Sequence, residues 1–332
     1  MNFTKFSSIE NVQRQKYLDK VVEEGKANQE FVCTEKVHGS NLSMHYDGNE
    51  FRLASRSGFI GIESNFYGIN SHVDSLKERM LKLYDLLGND GFVSVYGEWF
   101  GGGYPDIVSP PGTKKVQKEV SYCPHNDFYG FDIVKNGEHL NVDDRGFYFS
   151  KTDFHYAKIL KRGTLKECLE YPNDFLTTIP KYYGLPDIDG NIAEGTVIEP
   201  VEYCTFNTGS RIIFKNKNAK FKENGKNKSA KLKEDIKLSE KAKEKLNWLL
   251  GCVNENRRNA VVSKFDHIDE KKFGPLMGTY IVDIIDEYRR EFEEEIEQDI
   301  DEKEAKKVKK ELSKAVQVNI REDFVNIIDK FK

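Results

Sequence analysis

FVCTEKVHGSNLSMHY, residues 31–46, reads as two strand-like runs meeting at a His-Gly turn, with Lys36 where the first run ends. A lysine placed where a strand runs out into a glycine turn can present its amine to a phosphate, which makes Lys36 a candidate covalent nucleophile. Most lysines are solvated surface charges. The reading therefore depends on whether the rest of the chain supplies partners for this one.

A length of 332 residues exceeds one compact domain, and two domains are expected. Hydrophobic content of 38% with 32% charged residues fits a globular protein with a highly charged surface. The formal net charge of −4 excludes an overall basic, nucleic-acid-binding character. Charge is segregated instead: RIIFKNKNAKFKENGKNKSAKLK (211–233) is largely basic and DEYRREFEEEIEQDIDEKE (286–304) strongly acidic. Cys33, Cys123, Cys168, Cys204 and Cys252 form no CxxC pair, which argues against a disulfide framework or zinc site and for a reducing compartment. No apolar run is long enough to span a bilayer, and MNFTKFSSIENVQRQ lacks a signal-peptide core, so a cytoplasmic protein without a membrane partner is expected.

Up to about residue 220 the chain consists of short β-branched and aromatic runs, among them FVCTEKV, NLSMHY, FRLASR, FVSVYGEWF, FYGFDIV, GTVIEPV and RIIFK. One helix is predicted over 73–87, where Val73, Leu76, Met80, Leu83 and Leu87 share a face, and 105–124 reads as a loop. ENGKNKSAKLKED (223–235) has no apolar periodicity and reads as a linker. Beyond it the pattern is helical. Ser239 caps a segment with Leu246, Leu249, Leu250 and Val253 at helical spacing, Asp269 opens a short segment, Thr279 opens a longer one, and 312–331 is the last. The fold class is α+β: a larger domain over 1–234 followed by a small all-α domain over 235–332.

An amine attacking a nucleoside triphosphate needs a cationic setting for the phosphates and a metal for the leaving pyrophosphate. Lys215 and Lys217, two apart in RIIFKNK, emerge on one strand face and would hold phosphate oxygens. Two charges guarding an edge strand are the plain alternative. Glu98 in VSVYGEWFGGG and Glu194 in AEGTVIEP sit beside glycine in apolar surroundings, where a carboxylate needs a specific partner such as a ribose hydroxyl or a hydrated Mg²⁺. Arg56 precedes a Ser-Gly turn and could grip a phosphate; Phe131 is either core or a stacking face for a purine. His38, two residues from Lys36, shares its face or is a hydrogen-bonded structural histidine.

Taken in order, Lys36-x-His38-Gly39-x-Asn41, Arg56, Gly97-Glu98, Phe131-Asp132, Glu194-Gly195 and Lys215-x-Lys217 resemble the covalent nucleotidyltransferases, and His-Gly after the lysine resembles the RNA ligase 2 family. The likeness runs from FTKFSSIEN to KKFGPLMGTYIVDII. It implies a nucleotidyltransferase domain of ATP-grasp-like antiparallel sheets followed by a helical domain engaging RNA. It also implies an ATP-dependent RNA ligase that joins 3′-hydroxyl and 5′-phosphate ends at duplex nicks through lysyl-AMP and RNA-adenylate.

By motif, Lys36 would be the nucleophile, with Lys215 and Lys217 on the reacting phosphates. Phe131 would stack on adenine, Glu98 would bind ribose or metal, Glu194 would support Mg²⁺ (or Mn²⁺), and Arg56 would contact phosphates. His38 and Asn41 would line the phosphate site, with Glu35 and Asp132 in support, and Ser40, Phe66 and Tyr67 would meet RNA beside the 3′-hydroxyl. RNA, a nicked duplex, is the implied partner of a monomeric enzyme. Ser55 and Glu199 depart from the family pattern, where basic residues are usual, and are expected to remove positive charge from the RNA path. A ligase of single-stranded ends, a capping guanylyltransferase or a non-catalytic RNA-binding module are the alternatives.

Overall fold

The computed structural model describes residues 1–61, 64–221 and 238–331. These form two compact units, one ending at Lys220 and one holding the C-terminal helices. The boundary expected at 234–235 and the expected linker lie outside the described residues.

In chain order the strands are β1 (Glu10–Asn11), β2 (Phe31–Lys36), β3 (Ser40–Tyr46), β4 (Phe51–Ser55), β5 (Val93–Gly101), β6 (Asn126–Lys135), β7 (Glu138–His139), β8 (His155–Tyr156), β9 (Ile159–Gly163), β10 (Gly195–Pro200) and β11 (Phe214–Lys217). One sheet has the order β1-β11-β10-β2-β9 and the other β4-β3-β5-β6-β7, with β8 added to β6. Pairing is antiparallel except where β1 joins β11 and β8 joins β6. The short 37–39 turn after Lys36 carries the chain from the first sheet to the second.

Strand alternation sorts the side chains of the first sheet. Phe31, Cys33, Ile198 and Phe214 pack with Val21, Leu165 and Cys168 from helices α1 (Gln15–Glu23) and α4 (Leu165–Leu169). The opposite face presents Val197 and Ile213 to Tyr96, Phe6 and Phe131 of the second sheet and the N-terminal segment. The predicted helix is α2 (Val73–Leu86), with Leu76, Met80 and Leu83 buried. The sequence did not reveal α1, α3 (Val142–Ser150) and α4, each nine residues or fewer and thus too short for a clear period.

The C-terminal unit contains α5 (Glu240–Gly251), α6 (Glu255–Val262), α7 (Phe273–Phe292), α8 (Glu302–Arg321) and α9 (Phe324–Asp329). Ser239 caps α5 as expected, accepting from the Ala242 amide. The helix expected to open at Thr279 begins six residues earlier, at Phe273, and buries Leu276, Tyr280, Ile284 and Tyr288 at four-residue spacing. No helix among the described residues is long and apolar enough to cross a membrane.

A buried ionic cluster ties the two sheets together. Arg211 donates to Asp132 on β6 and, at 2.8 Å, to Glu199 on β10. Arg145 of α3 also donates to Glu199, and the ring of His139 lies 2.9 Å from Asp132. Burial opposes the charge on Asp132, but Arg211, His139 and Arg145 outweigh it and hold the carboxyl well below the usual range. This corrects the expectation for Glu199: it is 5% exposed, so it faces two buried arginines and not an RNA path. Ser55 is likewise buried, its amide and hydroxyl closing a turn on the Gly58 carbonyl.

Removing one partner from a buried ion cluster strands the others, at a cost of roughly 3–5 kcal/mol. Glu199→Ala should therefore lower the urea midpoint markedly. Glu199→Arg, which supplies the basic residue expected from the resemblance, should lower it further by opposing Arg145 and Arg211. A Glu199→Arg protein as stable as wild type would show that the cluster does not hold the sheets.

Candidate active site

The site grows from the register of three strands. Gly195 on β10 stands opposite Lys36 on β2 and Lys217 on β11, so the two lysines flank a residue with no side chain. Gly195 has φ of +145°, and a Cβ there would lie 2.1 Å from the Asn216 carbonyl oxygen. Only glycine fits. The preceding residue, Glu194, fills the gap: one carboxylate oxygen lies 2.7 Å from Lys36 Nζ and the other 2.8 Å from Lys217 Nζ. Glu194 is 2% exposed. Burial works against its charge, but Lys217, Lys36 and His38 outweigh burial and keep it well below the ordinary carboxylate range.

Glu98 approaches from the second sheet and accepts from the Gly39 amide at 3.1 Å. A Cβ on Gly39 would lie 2.2 Å from the Trp99 carbonyl oxygen, so the turn requires glycine to come this close to β5. Burial pushes the Glu98 carboxyl up to about 7 against the pull of Lys36, with the charge of Glu194 adding to the rise. Asn41 pairs with Glu98 across β3 and β5, and its amide reaches the Gly97 carbonyl at 3.4 Å.

The long loop expected over 105–124 is irregular as predicted, but in its second half Val116, Gln117, Val120, Tyr122 and Cys123 are buried and the segment clamps the turn. Tyr122 accepts from the His38 amide at 2.7 Å, Gln117 donates to the Gly39 carbonyl at 2.9 Å, and Glu119 lies 3.1 Å from His38 Nε2. These three residues gave no sequence signal beyond Val116, Val120 and Tyr122 as apolar points in a polar stretch. Burial disfavours a charged His38, but Glu119 and Glu194 outweigh it and raise the ring above its ordinary value.

Other expected site residues lie elsewhere. Lys215 shares the face of Lys217 one pair further along, opposite Val197. A bulge sets Asp132 opposite Tyr96 and Gly130 opposite Gly97, leaving Phe131 as the inserted residue. Phe131 packs against the Phe6, Tyr96 and Ile213 cluster and meets Phe6 edge-to-face at 5.0 Å. Arg56 donates to the Phe6 carbonyl at 2.9 Å, so in this form it tethers the N-terminal segment.

Glu35 belongs to the opposite face of β2 from Lys36 and accepts from Thr177 and Thr178, fixing that segment behind the site. Asp132 is committed to the ionic cluster. Ser40, Phe66 and Tyr67, expected to meet RNA, are all fully buried. The tight 66–72 turns fold both rings inward, and Trp99 Nε1 donates to the Tyr67 carbonyl.

A buried glutamate pairing with two lysines, with a second, partly buried carboxyl nearby whose pKa is pushed up, is the geometry of the site. Residues 29–217 match the RNA ligase family, and residues 236–318 match the C-terminal domain of T4 RNA ligase 2. The chain belongs to the RNA ligase family, in its RNA ligase 2 branch.

It is 34% identical over 215 residues to mitochondrial RNA-editing ligase 1 of Trypanosoma brucei brucei, covering 53% of this chain and 46% of that one. It is 27% identical over 229 residues to mitochondrial RNA-editing ligase 2 of the same organism, covering 59% and 55%. The chain thus spans about half the length of these curated relatives. A solved structure of Naegleria gruberi RNA ligase overlaps 66% of this chain and 57% of that one, with a TM-score of 0.45 and 16% identity.

The Glu98 carboxyl makes a stability prediction with a definite sign. Between its ordinary value of 4.5 and about 7, the folded metal-free protein retains a proton that the unfolded chain has released. Stability should therefore fall as pH rises through that window. Glu98→Gln should flatten this part of a profile of urea midpoint against pH; an unchanged slope would mean the carboxyl titrates as if exposed.

Proposed function

We propose that this protein is an ATP-dependent RNA ligase that joins a 3′-hydroxyl to a 5′-phosphate at nicks in duplex RNA. The observation that carries the reading is the Lys36 amine held 2.7 Å from Glu194, with Lys217 on the other oxygen of the same carboxylate. The shared carboxylate thereby holds both lysine side chains at one point.

In the first step the deprotonated Lys36 Nζ attacks the α-phosphate of ATP, the phosphorus–nitrogen bond forming as the phosphorus–oxygen bond to pyrophosphate breaks, with the proton from nitrogen passing to water. Lys217 and Lys215 neutralise charge building on the phosphate oxygens. Glu194, held ionised, orients both amines and is a weak proton acceptor. AMP then passes to the 5′-phosphate of an RNA end, and the neighbouring 3′-hydroxyl displaces it to seal the strand.

The donor set fits a divalent cation. Among the described residues no group of three or more His, Cys, Asp or Glu could hold a metal. Mg²⁺ is commonly held by one or two carboxylates completed by phosphate oxygens and water. Glu98, whose charge burial and Glu194 both oppose, gains most from a cation; Glu194 would flank it. Bound there, Mg²⁺ or Mn²⁺ supplies charge stabilisation for the departing pyrophosphate. Phe131, packed edge-to-face on Phe6, is the ring that the motif order assigns to adenine.

Incubation with Mg²⁺ and α-labelled ATP, followed by denaturation, should leave covalent label on wild type and none on Lys36→Ala. Lys215→Ala/Lys217→Ala should cut labelling by about a hundredfold or more, in line with the loss of aligned cationic donors. Label surviving on Lys36→Ala would overturn the assignment. Sealing of nicked duplex RNA against single-stranded ends then decides the substrate: faster sealing of single strands would overturn the duplex preference.

A further inference from the structure

We propose that Glu119 is a positioning residue for His38, holding one ring nitrogen so that the other faces Glu194 and the Lys36 amine. The inference rests on the ligase reading of the site and adds a residue to it. Nothing in the motif order points to Glu119, which comes from the long loop between β5 and β6.

His38 lies between two carboxylates. Its Nε2 is 3.1 Å from Glu119 Oε2, and its Nδ1 is 3.6 Å from Glu194 Oε2, the same oxygen that accepts from Lys36. The imidazole thus bridges the loop carboxylate and the carboxylate that aims the nucleophile. The backbone of the turn is held separately, by Tyr122 at the His38 amide and by Gln117 and Glu98 at the Gly39 carbonyl and amide. What these bonds leave open is rotation of the ring about Cβ–Cγ, which would replace Nδ1 by a carbon beside Glu194.

The Glu119 contact selects one of the two orientations. Glu119 is itself fixed: its Oε2 accepts from the Lys118 amide at 3.0 Å, and its carbonyl accepts from Lys220 Nζ at 3.4 Å. The contact with His38 and the backbone amides of Glu119 and Lys118 keep the Glu119 carboxyl down at about 2 against the opposing effect of burial, so it remains a charged acceptor.

The test follows lysyl-AMP formation in single-turnover mode together with the His38 ring nitrogens by NMR, in wild type, Glu119→Ala and Glu119→Gln, each with and without His38→Ala. Glu119→Gln keeps a ring acceptor of nearly the same shape. Misplacing a reacting group by about 1 Å costs up to about a hundredfold. Glu119→Ala is therefore expected to slow adenylylation about tenfold or more at saturating ATP, with half-saturating ATP changed by less than about twofold. Glu119→Gln should recover most of the rate.

In the His38→Ala background, Glu119→Ala should add nothing, because the residue acts through the ring. An equal loss with and without His38, or no loss in either, overturns the proposal. If wild type itself takes no label, the ligase reading fails, and the NMR arm still decides this one. His38 ring signals that shift in Glu119→Ala and return in Glu119→Gln support positioning, and signals identical in all three proteins overturn it.

Discussion

Two lysines share one buried carboxylate, and most of the N-terminal unit is arranged to make that possible. Glu194 meets Lys36 and Lys217 from a position just outside the sheet, because Gly195 between them carries no side chain. A carboxylate buried to this degree would be prohibitive alone, and two ammonium groups brought this close would repel. Together the three satisfy one another. The arrangement requires β2, β10 and β11 to be adjacent and in this register, since a slip of one residue would turn every side chain to the other face.

The second constraint is the ionic cluster of Asp132, Arg145, Glu199, Arg211 and His139. It joins β6 to β10, and so binds the sheet carrying Glu98 to the sheet carrying Lys36. Its cost in desolvation is offset only by complete pairing, so the cluster specifies the relative placement of the sheets more than it adds net stability. Glu98 then reaches the Gly39 amide, and its charge and that of Glu194 act on the same small volume. The 116–122 loop segment closes the site by holding the turn at its amide, carbonyl and imidazole.

Legibility followed range. Glu98 and Glu194 could be singled out because each sits in a strand-like run beside glycine, and Lys36 and Lys217 because each ends such a run; strand periodicity and glycine punctuation are local signals, and the structure brings Lys36, Glu194 and Lys217 together. α2 and the α5 cap were found for the same reason. The burial of Ser40, Phe66 and Tyr67 was not legible because exposure is not local: aromatic residues in a turn-rich segment can face solvent or the core, and here the 66–72 turns direct Phe66 and Tyr67 inward while Ser40 is buried on β3. Glu199 was misread because a glutamate in a strand looks alike whether it faces solvent or two arginines from residues 54 and 12 positions away. Gln117, Glu119 and Tyr122 gave no signal, since loop residues carry no period.

The chain by itself determined the α+β class, the order of the candidate site residues and the lysine singled out at the end of its strand, because these depend on residue type and spacing along one strand at a time. Only the tertiary structure decided which residues share a carboxylate, which lysine pairs with Lys36, and which apparent site residues serve as core. Those outcomes depend on strand register, sheet packing and the removal of water from charged groups, and none of these is a property of any stretch of sequence taken alone.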